Sequence, residues 1–212
     1  MTLAERVEAF KVAFPENRAA WPWLVQEQGR DVLYPVWVCG NDFRNETRYY
    51  GAHPRGYLEK LLALFPDVTS VAHDVATSPI LHAFAGSLRA GPWVRLDARA
   101  NLVDGVVPDV IGSVYQAGSL FAGRRFALVT ADPPYSDADA MRYGTPMVDR
   151  LRATEALADV ASPGGYLAWL DTCWPQHSKT HWVTVGRAFI QRSTNHRFRG
   201  MTLFERTANW EG

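Results

Sequence analysis

"FALVTADPPYSDADAMRYGTP" runs from Phe126 to Pro146. Its first six residues, Phe126 to Ala131, form a short apolar run of the kind that makes a buried strand. Asp132, Pro133, Pro134 and Tyr135 follow at once. Neither proline carries a backbone N–H, and each fixes φ at about −65°. The residue before each proline is pushed towards extended geometry. The carbonyls of this exit are therefore rigidly placed and unused by any ladder, with an acid on one side and an aromatic ring on the other. Such a loop suits a binding site. It also suits a plain strand exit, because Asp, Pro and Ser are ordinary turn residues. The flanking sequence decides between the two.

Working outward, strand-like and helix-like stretches alternate. "SPILHAFAGSLRAG" (Ser78 to Gly91) predicts a strand over Ile80 to Phe84 and then a glycine loop. "WVRLDAR" (Trp93 to Arg99) predicts a strand ending in Asp97, and "VVPDVIGSV" (Val106 to Val114) a short third strand. Phe126 to Ala131 is the fourth. "MVDRLRATEALADVA" (Met147 to Ala161) has helical spacing, "SPGG" (Ser162 to Gly165) ends it, and "YLAWLDTCW" (Tyr166 to Trp174) is the fifth strand. "WVTVGRAFIQR" (Trp182 to Arg192) and "GMTLFERT" (Gly200 to Thr207) read as a closing antiparallel pair. Such alternation predicts an open parallel sheet with helices on both faces. Ligands of these sheets sit beyond the carboxyl ends of the strands. Gly86, Asp97, Ser113 and Asp132 all fall at or just after such ends.

Ahead of this unit, Thr2 to Phe14 has a helical stripe of Leu3, Val7, Phe10 and Phe14, stopped by Pro15. "DVLYPVWVCG" (Asp31 to Gly40) reads as an edge strand or extended arm, because Pro35 interrupts it. "NDFRNETRYYGAHPRG" (Asn41 to Gly56) reads as a loop, and "YLEKLLALFP" (Tyr57 to Pro66) as a helix stopped by Pro66. The division is an N-terminal extension over residues 1–75 and a catalytic domain over 76–212.

The bulk numbers narrow the partners. The 212 residues carry 22 Lys and Arg against 22 Asp and Glu. That balance argues against coating nucleic acid by charge alone, though not against a local basic groove. Two cysteines, Cys39 and Cys173, make neither a disulfide framework nor a four-cysteine metal site, which fits a reducing cytoplasm. His82, His177 and His181 show no metal-ligand spacing with Cys173, so no metal site is read. No run of apolar residues is long enough to span a membrane, and the first residues lack a signal-peptide pattern. Oligomeric state is not legible.

"LHAFAGSLRAG", "VRLDAR", "LVTADPPY" and "SPGG", in that order, resemble the class I S-adenosylmethionine-dependent methyltransferases. More narrowly, they resemble the amino-methyltransferases that act on exocyclic amines of nucleobases through an (Asp/Asn/Ser)-Pro-Pro-(Tyr/Phe/Trp) motif. The likeness spans roughly Ile80 to Arg206. It implies an α/β fold with a Rossmann-like, mostly parallel seven-stranded sheet and an antiparallel C-terminal hairpin. It implies S-adenosylmethionine as cofactor. Phe84, Ala85 and Gly86 would line its methionine end. Asp97 and the adjoining Ala98 would meet the ribose, and Ser113 the adenine, where the family often has an acid. Tyr50 and Gly51 would help cover it. Asp132, Pro133, Pro134 and Tyr135 would hold the base.

The chemistry suits those residue types. An exocyclic amine is a weak nucleophile, because its lone pair is delocalised into the ring. An Asp132 carboxylate and a Pro133 carbonyl would accept both amine hydrogens and localise that pair. Tyr135 would stack on the base, which in a duplex must first leave the helix. The resemblance implies nucleic acid as partner, with DNA adenine or cytosine ahead of RNA. A methyltransferase fold that only binds a partner is the other reading, supported by the missing third-strand acid. "RSTNHRFRG" (Arg192 to Gly200) adds a small basic tip with Arg192, His196, Arg197 and Arg199, more in keeping with a solvated hairpin end than with phosphate contact.

Overall fold

A computed structural model describes residues 1–40, 53–70, 74–100, 105–193 and 198–208. Helix α1 (Leu3–Ala13) opens on a capping box. The Thr2 hydroxyl accepts from the Glu5 N–H, and the Glu5 carboxylate accepts from the Thr2 N–H at 2.7 Å. Strands β1 (Trp23–Glu27) and β2 (Arg30–Tyr34) pair antiparallel. Gln28 and Gly29 join them at φ 50° and 79°, the left-handed pair that a two-residue hairpin turn needs. Pro35 separates β2 from β3 (Val36–Cys39), and α2 (Tyr57–Ala63) and α3 (Pro66–Thr69) follow. Pro66 begins a helix rather than only ending one, because a first-turn position needs no N–H.

The remaining elements are β4 (Ile80–Ala83), β5 (Val94–Asp97), β6 (Val110–Ile111), α4 (Ala117–Leu120), β7 (Phe126–Ala131), α5 (Asp137–Tyr143), α6 (Arg150–Ala158), β8 (Ala161–Asp171), β9 (Trp182–Arg192) and β10 (Phe198–Arg206). Five of them lie parallel in the order β8-β7-β4-β5-β6. That is the arrangement of a doubly wound α/β sheet, whose direction of winding reverses between β4 and β7. Strand β10 inserts antiparallel between β8 and β9, completing the seven strands expected. The sheet then continues: β2 and β3 both pair parallel with β9, and β1 forms its outer edge. The first 40 residues are thus built into the same sheet.

Two apolar clusters cover the two faces. Along β7, Leu128 joins Phe10, Leu33, Trp37, Leu61 and Phe65 on the face packed by α1 and α2. Val129 and Ala131 join Ala153, Leu157, Trp169 and Trp182 on the face packed by α6. This is the period-2 alternation of a strand buried on both sides. In α6 the Thr154 hydroxyl donates to the Leu151 carbonyl at 2.9 Å, so a buried polar side chain is satisfied by its own helix.

Three stretches differ from the sequence expectation. Ser162 to Gly165 lie inside β8, where the register against β7 shifts and Gly164 takes φ 70°. The two glycines make a bulge rather than a stop. The third parallel strand shrinks to Val110–Ile111 because Ser113 turns out of it to cap a short 3-10 helix. Asp137–Tyr143 is helical, capped by Ser136 at its start and by Gly144 in the left-handed region at its end.

Short β6 is held to its neighbour by an ion pair between buried Arg95 and partly exposed Asp109. Arg95 of β5 donates from Nε to Asp109 Oδ2 at 3.0 Å and from Nη2 to Oδ1 at 2.9 Å. Burial alone would raise the Asp109 carboxyl; the hydrogen bonds and charge of Arg95 overcome it and hold it below its usual range. A depressed native value means that this stabilisation is present above the unfolded value of about 3.9 and lost as pH falls through the native one. Asp109→Asn is expected to cost about 1.5–3 kcal/mol at pH 7. It should also flatten the loss of stability between pH 4 and 2, read by urea denaturation across that range. An unchanged acid limb would remove this pair from the account.

Candidate active site at the carboxyl edge

The carboxyl ends of β4, β5, β6, β7 and β8 meet along one edge. Register fixes their neighbours: Ala83 pairs with both Leu96 and Ala131, and Asp97 with Ile111. The next residues, Phe84, Asp97 and Asp132, therefore lie side by side. After β4 the chain turns sharply, with Phe84 at φ 56° and Gly86 at φ 53°. A left-handed Phe costs roughly 1–2 kcal/mol, a strain found mostly at functional loops. The Ala85 N–H donates to the Leu96 carbonyl at 3.1 Å, and the Gly86 N–H to Asp97 Oδ2 at 3.0 Å. The other Asp97 oxygen accepts from the Arg99 N–H at 3.0 Å. Asp97 is buried, and its Oδ1 also faces Arg99 Nε at 3.5 Å, so the acceptor capacity that remains is on Oδ2. Ser113 follows β6 and accepts from the Tyr115 N–H at 3.3 Å.

Asp132 leaves β7 on the face packed by α1 and α2, in line with Leu128 and Thr130. Its side chain is 5% exposed. His53 Nδ1 lies 3.2 Å from Asp132 Oδ2, without the alignment of a hydrogen bond. The Tyr135 hydroxyl donates to Asp132 Oδ1. The Arg199 guanidinium sits over the Tyr135 ring, 4.6 Å from its centroid. Burial alone would raise the Asp132 carboxyl. The His53 imidazole, the charge of Arg199 and the Tyr135 hydroxyl outweigh it, and the acid is held below its ordinary value. Burial and then the Asp132 charge push the Tyr135 and Tyr57 phenols far up, so both stay neutral donors.

Behind this group, His82 of β4 meets the Thr130 hydroxyl through Nδ1. Burial, then the charge of His53, drives its pKa well down, leaving a neutral ring. Its Nε2, the Tyr57 hydroxyl and Arg199 Nη1 are buried without a hydrogen-bond partner among the described residues.

A second carboxylate carried no sequence signal. Asp171, at the end of β8, is fully buried and pairs with Arg150 of α6 at 2.8 Å. It also accepts from Trp169 Nε1 at 3.1 Å and from the Thr172 N–H at 2.7 Å. Arg150 reaches further, donating from Nη2 to the Tyr135 carbonyl at 3.4 Å. The far end of the Asp-Pro-Pro-Tyr loop is thereby tied to α6.

Asp132, Pro133, Pro134 and Tyr135 thus share an edge with Phe84, Ala85, Gly86, Asp97, Ala98 and Ser113. Tyr50 and Gly51 lie outside the described residues, as do His196 and Arg197 of the basic tip. His53, which sequence reasoning passed over, is beside Asp132; its only signal was a place in an aromatic, Gly- and Pro-punctuated loop. Arg199 faces the site rather than the solvent, because it shares a β10 face with buried Met201 and Leu203. No three His, Cys, Asp or Glu side chains are grouped to hold a metal among the described residues, and none of their helices is long and apolar enough to cross a membrane.

No protein-family model matches the chain. No curated protein matches it either. Among solved structures it is similar to TrmN from Thermus thermophilus, at 10% identity and a TM-score of 0.38, over 60% of this chain and 43% of that one. The chain therefore spans less than half the length of that protein.

Removing Arg150 leaves the Asp171 charge buried and uncompensated. Arg150→Met is expected to cost about 3–5 kcal/mol, measured by urea unfolding at pH 7. A loss below about 1 kcal/mol would show that Asp171 is held by Trp169 and the backbone alone.

Proposed function

We propose that this chain transfers a methyl group from S-adenosylmethionine to an exocyclic amine of a DNA base, adenine or cytosine. The observation that carries the reading is Asp132: a buried carboxylate kept ionised at the carboxyl edge of the central strand, in a frame stiffened by two prolines. Its oxygens face donors from His53 and Tyr135. A substrate amine would take up one such place, with its second hydrogen on the Pro133 carbonyl. Both acceptors draw the amine hydrogens towards themselves and leave electron density on the nitrogen, which localises the lone pair and aims it.

S-adenosylmethionine, when bound, supplies an electrophilic methyl on a sulfonium. The residues at the edge fit it. The strained turn at Phe84 to Gly86 brings backbone close to the crevice where the sheet winding reverses. Asp97 keeps acceptor capacity on Oδ2 for a ribose hydroxyl, and Ser113 supplies a hydroxyl where an adenine would lie. Support for a nucleic acid comes from rings near the end of β8, on the face of β10 opposite Arg199. Trp174 packs edge-on to Phe189 with centroids 5.9 Å apart, and its ring lies against Gly200, where an added Cβ would come within 2.6 Å. Trp174, Phe189 and Phe198 are all exposed. Exposed rings at the end of β8 suit the stacking of bases.

The test is methyl transfer from radiolabelled S-adenosylmethionine to duplex DNA, single-stranded DNA and total RNA in parallel, followed by nucleoside digestion. Label in N-methyladenine or N-methylcytosine of DNA is the expected result. Label confined to RNA would overturn the DNA assignment, and no cofactor binding would point to a fold that only binds a partner. Asp132→Ala is expected to lower transfer by about ten- to hundredfold or more, with cofactor affinity retained. Asp97→Ala is expected to weaken cofactor affinity by calorimetry. Full activity in the first variant would sink the role of Asp132, and unchanged affinity in the second that of Asp97.

A further inference from the structure

We infer that Arg199 and Tyr57 read a neutral hydrogen-bond acceptor adjacent to the reacting amine, so that the site selects an amine–acceptor edge and not an amine alone. This rests on the proposed function and narrows its substrate to a base whose amine neighbours an unprotonated ring nitrogen.

Of the buried polar atoms left over around Asp132, two are donors whatever the tautomer of His82. Arg199 Nη1 and the Tyr57 hydroxyl both lie out of solvent and lack a partner among the described residues. A buried donor without a partner costs free energy, so such groups are rare and call for an explanation. Here they come from β10 and α2, far apart in the chain, and gather at one carboxylate. Arg199 is stacked over Tyr135, whose hydroxyl is already on Asp132. The charge of Arg199 acts on Asp132, Tyr57 and Tyr135 alike. The site thus presents an acceptor, Asp132, with two unpartnered donors near it and the Tyr135 ring under one of them.

The charge pattern says which acceptor fits. A phosphate brought to Arg199 would also approach the Asp132 carboxylate, and like charges at short range in a buried site repel strongly. The charge of the guanidinium already acts on that acid. What remains is directional N–H capacity, which a neutral ring nitrogen satisfies without adding charge. Adenine offers this beside its amine as N1 on one side and N7 on the other, and cytosine offers N3.

The experiment compares each parent base with an analogue in which the neighbouring nitrogen is replaced by C–H: 1-deaza- and 7-deazaadenine, and 3-deazacytosine. Methyl transfer to oligonucleotides and calorimetric binding of the free nucleosides are measured for wild type, Arg199→Met, Arg199→Lys and Tyr57→Phe. The wild type should disfavour one analogue by about ten- to hundredfold, the loss of a hydrogen bond from a charged donor. Arg199→Met should handle parent and analogue alike. Arg199→Lys keeps the charge without the planar fork, and should retain part of the preference. Tyr57→Phe should melt no lower than wild type, because its hydroxyl has no partner among the described residues, and should lose part of the preference.

Equal handling of parent and analogues by the wild type would overturn the inference. So would a preference that survives in folded Arg199→Met. A uniform loss of DNA affinity in that variant, with a shallower salt dependence, would place Arg199 on a phosphate and overturn it too. If no oligonucleotide is methylated but nucleoside binding keeps an Arg199-dependent preference, the inference stands and the methyl-transfer reading fails. If no nucleoside binds, the inference falls.

Discussion

A carboxylate taken out of water stays ionised only if other groups replace the hydration it gave up. Asp132 sets that condition for the whole molecule. It ends a strand buried on both faces, and its side chain is 5% exposed. The compensation comes from three places: His53 ahead of α2, Tyr135 in the same loop, and Arg199 on β10. Only Tyr135 comes with the parallel sheet itself. The N-terminal residues must fold across one face to deliver His53, and the last strand must run antiparallel beside β8 to deliver Arg199. The architecture and the protonation state of one acid are therefore the same problem.

The two faces handle charge differently. On the α1 and α2 face, Asp132 has an imidazole beside it, a phenol and buried donors left unsatisfied nearby. On the α6 face, Asp171 is fully paired by Arg150, Trp169 and backbone. Satisfied networks make rigid structure; unsatisfied ones leave room for a ligand. The second carboxylate thus serves as a brace for the loop that carries the first, through the Arg150 contact with the Tyr135 carbonyl.

Much of the sheet was legible in the sequence, for identifiable reasons. Phe126–Ala131 and Trp182–Arg192 have the expected bounds because their apolar pattern ends at clear punctuation. Ser162 to Gly165 misled, because Pro and Gly mark a bulge as well as a stop. Trp23–Glu27 was passed over: an edge strand with polar residues has little pattern to show. Asp137–Tyr143 carries good caps in Ser136 and Gly144, but its charged composition hid the helix. At the site, the residues that follow strand ends were legible, since topology places them. His53, Arg150, Asp171 and the inward face of Arg199 were not, because a pairing between elements distant in the chain leaves no local trace. The comparison of Arg199 with its neighbours on β10 shows the remedy: strand alternation, counted from buried Met201 and Leu203, already turns it inward.

Strand β9 also governs how the chain can assemble. It accepts β2 and β3 on one side and β10 on the other. Arg187 on β9 binds Glu27 at a separation of 160 residues and Tyr34 at 153. Pairings of that span close very long loops, and their entropy must be met before the contacts return anything. The early hairpin of β1 and β2 can form locally, yet the strand that docks it arrives only after the entire parallel sheet has been made. Until then its unpaired backbone is an adhesive edge, open to another chain. The polar, charged tip of that hairpin, Gln26 and Glu27 facing Arg30 and Asp31, fits a segment that must wait in water.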